Sequence, residues 1–315
     1  MVYNRAMDEL TASRTALATS LMRAAHTRLD PRPIINDPWG DRLVPEPARE
    51  MIRDAAIQAM DAATRAKAMA APEKIVDASL RRSPAYENVI TRSRYTEDAL
   101  QAAVSRGVGQ YVLVGAGFDS FALRRPPYAA NLQIFEIDHP ATQDLKLQRI
   151  RQLGISVPDS VHFIAADLST EGVDAALARS SFRRDRAAFF SWLGVTMYLT
   201  RAANLATLRA VAACALAGSE LVLTYVDERL FDSTSERFQA LQSRVASMGE
   251  PFLSGFDPQD FAATLRQCGL ELLEDLSAAE AAVKYGRGRA NDAGRSSFSH
   301  IALCRVLNEG LHAQP

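Results

Sequence analysis

Five short apolar segments recur in the second two-thirds of the chain, each separated from the next by room for a helix. They read "QYVLVG" (110–115), "LQIFEID" (132–138), "VHFIAAD" (161–167), "AAFFSWL" (187–193) and "ELVLTYVD" (220–227). Between them lie helical patterns such as "TQDLKLQRIRQLG" and "RAANLATLRAVAACALAG". A strand buried on both faces reads as a continuous apolar run, and strands that alternate with helices pair in parallel. The pattern therefore predicts an α/β fold with helices on both faces of the sheet. Two later segments, "LELLEDLS" (270–277) and "SHIALCRVL" (299–307), add strands and bring the expected number to seven.

Residues 1–105 read instead as a helical cap that belongs to the same domain as the core at 106–315. "TASRTALATSLMRAAHTRL" places Leu17, Leu21, Ala24, Ala25 and Leu29 at helical spacing. "DPRPIINDPWGDRLVPEP" then packs in five prolines, which end the helix and predict an ordered, extended turn region. Alanine-rich helices follow at about 48–70 and 85–105. A helical insertion at about 228–256 is too long for a strand-to-helix loop and is expected to serve as a lid.

The formal charge of −1 argues against a nucleic-acid backbone as principal partner, because such binders carry excess Lys and Arg. No apolar run reaches membrane-spanning length. The first residues include Asp8 and Glu9 and show no apolar signal core, so a cytoplasmic location is expected. Cys214, Cys268 and Cys304 are odd in number and widely spaced, which supports neither a disulfide framework nor a zinc site.

In open α/β sheets, ligands bind beyond the carboxyl ends of the strands. Three such ends carry informative residues. After the first, Gly115-Ala116-Gly117 permits a tight turn and close backbone approach to a ligand, or simply a turn from strand to helix. After the second, Asp138 stands about 20 residues past the glycines, where an acid takes both hydroxyls of a ribose; capping of the next helix is the plainer alternative. After the third, Asp167 with Leu168 suits an adenine amine and ring face, or again a helix cap. Where a dinucleotide fingerprint has its third glycine, this chain has Ser120, with Phe118 and Asp119 beside it. Asp119 would repel a pyrophosphate. An adenosyl cofactor without phosphate, S-adenosylmethionine, suits this turn better.

"VLVGAGFDSFALR", "FEIDHPATQDLK", "FIAADL" and "FFSWLGVTMYLT" resemble the bacterial branch of the leucine carboxyl methyltransferase-like proteins, as do "DPRPIINDPWGDRLV", "ITRSRYTEDAL" and "GEPFLSGFDP". The resemblance implies a class I methyltransferase, Rossmann-like fold and S-adenosylmethionine as cofactor. It assigns the backbone of Gly115, Ala116 and Gly117 to the methionine end, Asp138 to the ribose, and Asp167 and Leu168 to the adenine. "TRSRY" offers Arg92 and Arg94 for the cofactor carboxylate, with Arg92 preferred by its offset from the following helix. Eukaryotic members carry a glutamate after the fourth strand, where this chain has Leu193, so that contact is not transferred.

Methyl transfer is an in-line displacement that depends mainly on alignment and desolvation. A carboxylate acceptor needs no base, whereas a hydroxyl needs a proton acceptor in range. Of His26, His139, His162, His300 and His312, only His26 and His300 are candidates, and a structural role competes for each. Tyr198, after the fourth strand, either orients the acceptor or packs. Trp39, Phe231, Phe238 and Phe252 point to a small lipophilic or aromatic acid as acceptor, with no nucleic-acid or membrane partner. The competing readings are an NAD(P)-dependent oxidoreductase and a non-catalytic cofactor-binding protein.

Overall fold

The computed structural model describes residues 13–71, 74–232, 239, 243, 251–287 and 298–308. Two compact units emerge from backbone proximity. A helical unit comprises the described residues up to Arg94 together with Gly117–Arg124 and Ala141–Val157, and a sheet unit comprises the remainder. Their elements in chain order are α1 (Arg14–Leu29), α2 (Glu46–Gln58), α3 (Ala62–Ala68), α4 (Ile75–Arg82), α5 (Tyr86–Ser105), β1 (Gln110–Val114), α6 (Phe121–Arg124), β2 (Gln133–Asp138), α7 (Pro140–Gln152) and β3 (Val161–Ala165). There follow α8 (Val173–Ala178), β4 (Ala188–Trp192), α9 (Arg201–Cys214), β5 (Glu220–Val226), α10 (Phe261–Gln267), β6 (Leu270–Ser277), α11 (Ala278–Lys284) and β7 (Ser299–Val306).

All seven expected strands form one sheet in the order β3-β2-β1-β4-β5-β7-β6. The first five pair in parallel, with Val112 opposite Phe135 on one side and Phe190 on the other. β7 is antiparallel to both β5 and β6. Every residue of β1, β4 and β5 is buried, which is why these segments lack polar alternation. On one face Val112, Phe135, Phe190 and Leu223 pack with Leu208 and Val211 of α9 and Phe261 and Leu265 of α10.

The antiparallel side carries a buried polar group. Tyr225 donates to Asp275 Oδ2 (2.5 Å), and His300 Nδ1 lies 3.2 Å from the other oxygen. The His300 ring stacks on Tyr225 with centroids 4.9 Å apart. Burial, reinforced by Asp275, pushes the Tyr225 hydroxyl well above the usual phenol range, so it remains a donor.

The sheet order places a topological switch between β1 and β4, whose following connections diverge. There Gly115 adopts φ +70°, and a Cβ at this position would overlap Val195 Cγ2. Conformation and space both demand glycine.

In the helical unit, α1 begins at Ser13, whose side chain accepts from Ala16 N (3.0 Å). The expected helix at 48–70 is two helices, α2 and α3, split at Ala59–Asp61. Leu17, Leu21, Ala24 and Ala25 are buried as expected, whereas Leu29 is exposed and the polar Ser20, Arg23 and His26 are buried. Arg23 and His26 meet the proline-rich stretch, and Ser20 meets the Phe118 carbonyl. Asp37, fully buried, accepts from Arg23 Nε (2.8 Å), Trp39 N (3.1 Å) and Gly40 N (3.2 Å). Burial alone would raise its carboxyl, but Arg23 and Arg124 with the hydrogen bonds of Ser120 and Arg23 hold it below the ordinary 3.8.

A depressed folded-state value contributes stability that is complete above the unfolded value and lost as pH falls through the folded one. Asp37→Asn should therefore cost about 3–5 kcal/mol at neutral pH, because Arg23 is left buried without its counter-charge. Chemical unfolding across pH should show the gap between variant and wild type closing as the pH falls below 3.8; a gap independent of pH would refute the linkage. Gly115→Ala should destabilise by about 1–3 kcal/mol from strain and overlap. Adding Val195→Ala should recover the steric part alone, as read from urea midpoints.

Candidate functional site

The sheet unit brings Gly115, Ala116, Asp138, Asp167, Leu168 and Tyr198 to the carboxyl ends of four adjacent strands. Gly115 N and Ala116 N both donate to Ile137 O, at 2.9 and 3.0 Å, so the turn after β1 is fastened to the end of β2. Asp138 closes β2 and is nearly buried, with Oδ1 accepting from His139 N (2.7 Å) and its carbonyl accepting from Ala166 N (2.8 Å). The carboxylate is thus oriented by its own following amide. Pro140 then opens α7, a position where its missing N–H costs nothing.

Asp167 Oδ1 accepts from Ser169 N (2.9 Å) and Ser169 Oγ (2.6 Å). These bonds, the side-chain one first, hold its carboxyl below the usual range. Its other oxygen has no hydrogen-bond partner among the described residues. Leu168 is half-buried and packs on the core. The local turn and an outward-facing acceptor coexist at Asp167, so the cap and ligand readings of this residue are compatible.

The connection after β4 is pinned from several sides. Gly194 N donates to Thr224 Oγ1 (2.7 Å), and Thr196 Oγ1 donates to Thr224 O (2.8 Å). Asn204 Nδ2 donates to Thr196 O (2.8 Å) and Ser254 Oγ (3.0 Å), while Ser254 Oγ donates to Leu199 O (2.8 Å). Tyr198, in the 3-10 turn at Thr196–Tyr198, packs on Phe252 with centroids 5.6 Å apart. Both join Phe231 and Phe298 around buried Met197, Val226 and Leu230. Thr224, Asn204, Ser254 and Phe298 escaped the sequence reading. Only "GEPFLSGFDP" signalled a role for the segment that includes Ser254.

Gly117 and Arg92 belong to the helical unit. Arg92 is half-buried on α5, while Arg94 is exposed and donates to Ile34 O (3.3 Å). Ser120 is buried and accepts from Arg124 Nε (2.9 Å), and Asp119 Oδ1 accepts from Phe121 N (2.7 Å). α6 lasts a single turn before Arg125 (φ +39°), Pro126 and Pro127 end it. The third glycine of a dinucleotide site allows a long helix to pack closely on its strand; a one-turn helix makes no such demand and offers pyrophosphate little dipole.

His26 is buried, its Nε2 accepting from Ile34 N (3.0 Å), and His162 lies beside Gln133 and Ser181. His312, Phe238 and most of the expected lid, 233–238 and 244–250 among it, lie outside the described residues. Among the described residues no group of three metal-ligating side chains occurs and no helix is long and apolar enough to cross a membrane. The three cysteines are free and buried, and burial raises all three thiols, Cys214 to about 12.

The family model for leucine carboxyl methyltransferase matches residues 16–212. The chain is 33% identical over 275 residues to YktD of Bacillus subtilis, a candidate S-adenosyl-L-methionine-dependent methyltransferase, covering 84% of this chain and 88% of that protein. A candidate methyltransferase of the same kind from Mycobacterium sp. strain KMS is 30% identical, with 73% and 72% covered. Among solved structures, a candidate methyltransferase from Thermobifida fusca aligns with TM-score 0.55 at 15% identity, covering 82% of this chain and 94% of that one. A DUF574 family protein from Streptomyces avermitilis gives 0.54 at 15%, covering 81% and 95%; these two show a shared fold. On family match and sequence identity, the chain belongs to the leucine carboxyl methyltransferase family and is an S-adenosylmethionine-dependent methyltransferase.

Proposed function

We propose that this methyltransferase acts on an oxygen, a carboxylate or hydroxyl, of a small lipophilic or aromatic acceptor. The observation that carries the reading is the aromatic and apolar group of Tyr198, Phe231, Phe252 and Phe298 beyond the ends of β4 and β5. An acceptor with an apolar body gains by burial there. The insertion at about 228–256 is proposed as a lid over this aromatic group, and the cap at 1–105 is proposed to work with the core at 106–315 as one enzyme.

The residues at the strand ends suit S-adenosylmethionine by their donor and acceptor set. Gly115 takes a backbone conformation and a closeness to Val195 that only glycine allows, and the turn is fastened to Ile137 O, next to Asp138 in the chain. Backbone groups of Gly115, Ala116 and Gly117 are assigned to the methionine end, and Arg92 to its carboxylate by bidentate pairing. Asp138 is assigned to the ribose hydroxyls. Asp167, through the oxygen not used by Ser169, is assigned to the adenine amine, with Leu168 against the ring. S-adenosylmethionine, when bound, supplies a methyl group already activated by the sulfonium.

The protein then has to align and dry the reactants. Tyr198 is assigned to holding the acceptor oxygen through its hydroxyl while its ring stays packed on Phe252. A carboxylate is ionised at neutral pH, and His26 and His300 are held in structural hydrogen bonds. Both facts favour an acid acceptor that needs no general base.

Asp138→Ala should weaken binding of S-adenosylhomocysteine by on the order of 1–3 kcal/mol in calorimetry, through loss of charge-assisted hydrogen bonds; unchanged affinity in a folded variant would refute the ribose assignment. Tyr198→Phe should raise KM for the acceptor and leave S-adenosylhomocysteine affinity intact. Labelled methyl transfer to a panel of aromatic and aliphatic acids, phenols and amines tests the reaction class. A base-labile ester product is expected, and methylation confined to amines would sink the proposal.

A further inference from the structure

One face of α1 carries residues at the spacing i, i+4, i+7, i+11, with the polar Ser20 and Arg23 at its buried centre. Ala16, Ser20, Arg23 and Thr27 therefore line one stripe of the helix. Ala16 Cβ stands 3.0 Å from the place a Cβ would occupy on Gly117, which adopts φ +53°. Ser20 Oγ donates to Phe118 O (3.2 Å), and Arg23 Nη2 donates to the same carbonyl (2.8 Å). Arg23 Nε is held by Asp37 Oδ2 (2.8 Å), and Thr27 Oγ1 accepts from Asp37 N (2.8 Å). Arg124 closes the group from the other side, with Nε 2.9 Å from Ser120 Oγ and 3.8 Å from Asp37 Oδ1.

We propose that Ser20, Arg23 and Asp37 are positioning residues for the cofactor: they clamp the Phe118 carbonyl and so set the backbone of the glycine turn at Gly117–Ser120. This rests on the reading of that turn as the cofactor's methionine end. Two observations argue that the clamp does more than stabilise. A buried ion pair generally stabilises no more than apolar side chains of similar volume, so its specific effect lies in direction. Here the direction is aimed at one main-chain carbonyl, which takes two donors. In a trans peptide the C=O and the next N–H point oppositely. Seating Phe118 O on α1 therefore turns the Asp119 N–H away from the helix, and that N–H has no acceptor among the described residues. The clamp thus presents a preorganised donor two residues past Gly117, where an anionic or carbonyl oxygen of a ligand would find it.

The test compares Ser20→Ala, Arg23→Lys and Arg28→Met with wild type in the full-length protein. Ser20→Ala removes one bond to Phe118 and leaves the ion pair, so it decides the matter if Arg23→Lys does not fold. Arg28 lies on α1 and pairs with Asp77 and Asp41 without touching the turn, so its variant reports loss of stability without loss of the clamp. S-adenosylhomocysteine affinity is read by calorimetry, the ligand-free unfolding midpoint by scanning, and amide exchange in peptides covering 115–124. Ser20→Ala is expected to raise Kd about threefold to tenfold and Arg23→Lys more than tenfold. Exchange at 117–121 should quicken in both, whereas Arg28→Met should shift only the midpoint. Wild-type Kd in folded Ser20→Ala and Arg23→Lys, or an equal Kd loss in Arg28→Met at the same midpoint shift, would overturn the clamp. Asp138→Ala measured alongside separates the two readings. Loss there with unchanged clamp variants overturns the clamp alone, and the converse overturns the ribose assignment alone. Absence of S-adenosylhomocysteine binding in the wild type overturns both.

Discussion

A parallel strand that is buried on both faces has no free side for chemistry. Its side chains are committed to packing, its main chain is committed to the ladder, and only its ends remain. β1, β4 and β5 are in that position throughout their length. Polar residues are therefore displaced to the carboxyl edge, where the connections after β1 and β4 part company and ligands of open α/β sheets bind. Gly115, Asp138 and Asp167 stand at that edge, with the buried apolar strands behind them.

The electrostatics of this edge suit a cation. Asp138 and Asp167 both present carboxylates, and each is oriented by a bond to a nearby amide, from His139 and Ser169. A pyrophosphate would meet these charges without a compensating helix dipole, because α6 is one turn long. A sulfonium with a ribose and an adenine meets them favourably. Beyond the same edge, Tyr198 and its aromatic neighbours form an apolar group distinct in character from these carboxylates.

The sheet was legible because burial on two faces leaves an unmistakable apolar run, and the glycines and strand-end acids were legible because each lies within a few residues of its run. The clamp on Phe118 was not. Ser20 and Arg23, the latter held by Asp37, act on a carbonyl almost a hundred residues later, and a polar residue on a helix reads as a solvated face unless its partner is known. Asn204 and Ser254 escaped for the same reason, since they meet across 50 residues of chain. The absence of a third glycine was legible in the sequence, whereas the one-turn length of α6 that makes a serine tolerable there needed the backbone.

By itself the sequence determined the α/β architecture, the seven strands, the acidic strand ends and the family resemblance, since all four are written in local periodicity and short-range spacing. Tertiary structure alone decided the strand order that opens the switch point, the buried ion pair beneath the glycine turn and the aromatic surroundings of Tyr198. These depend on contacts between distant residues, whose free energy exists only once the chain has closed the long loops between them.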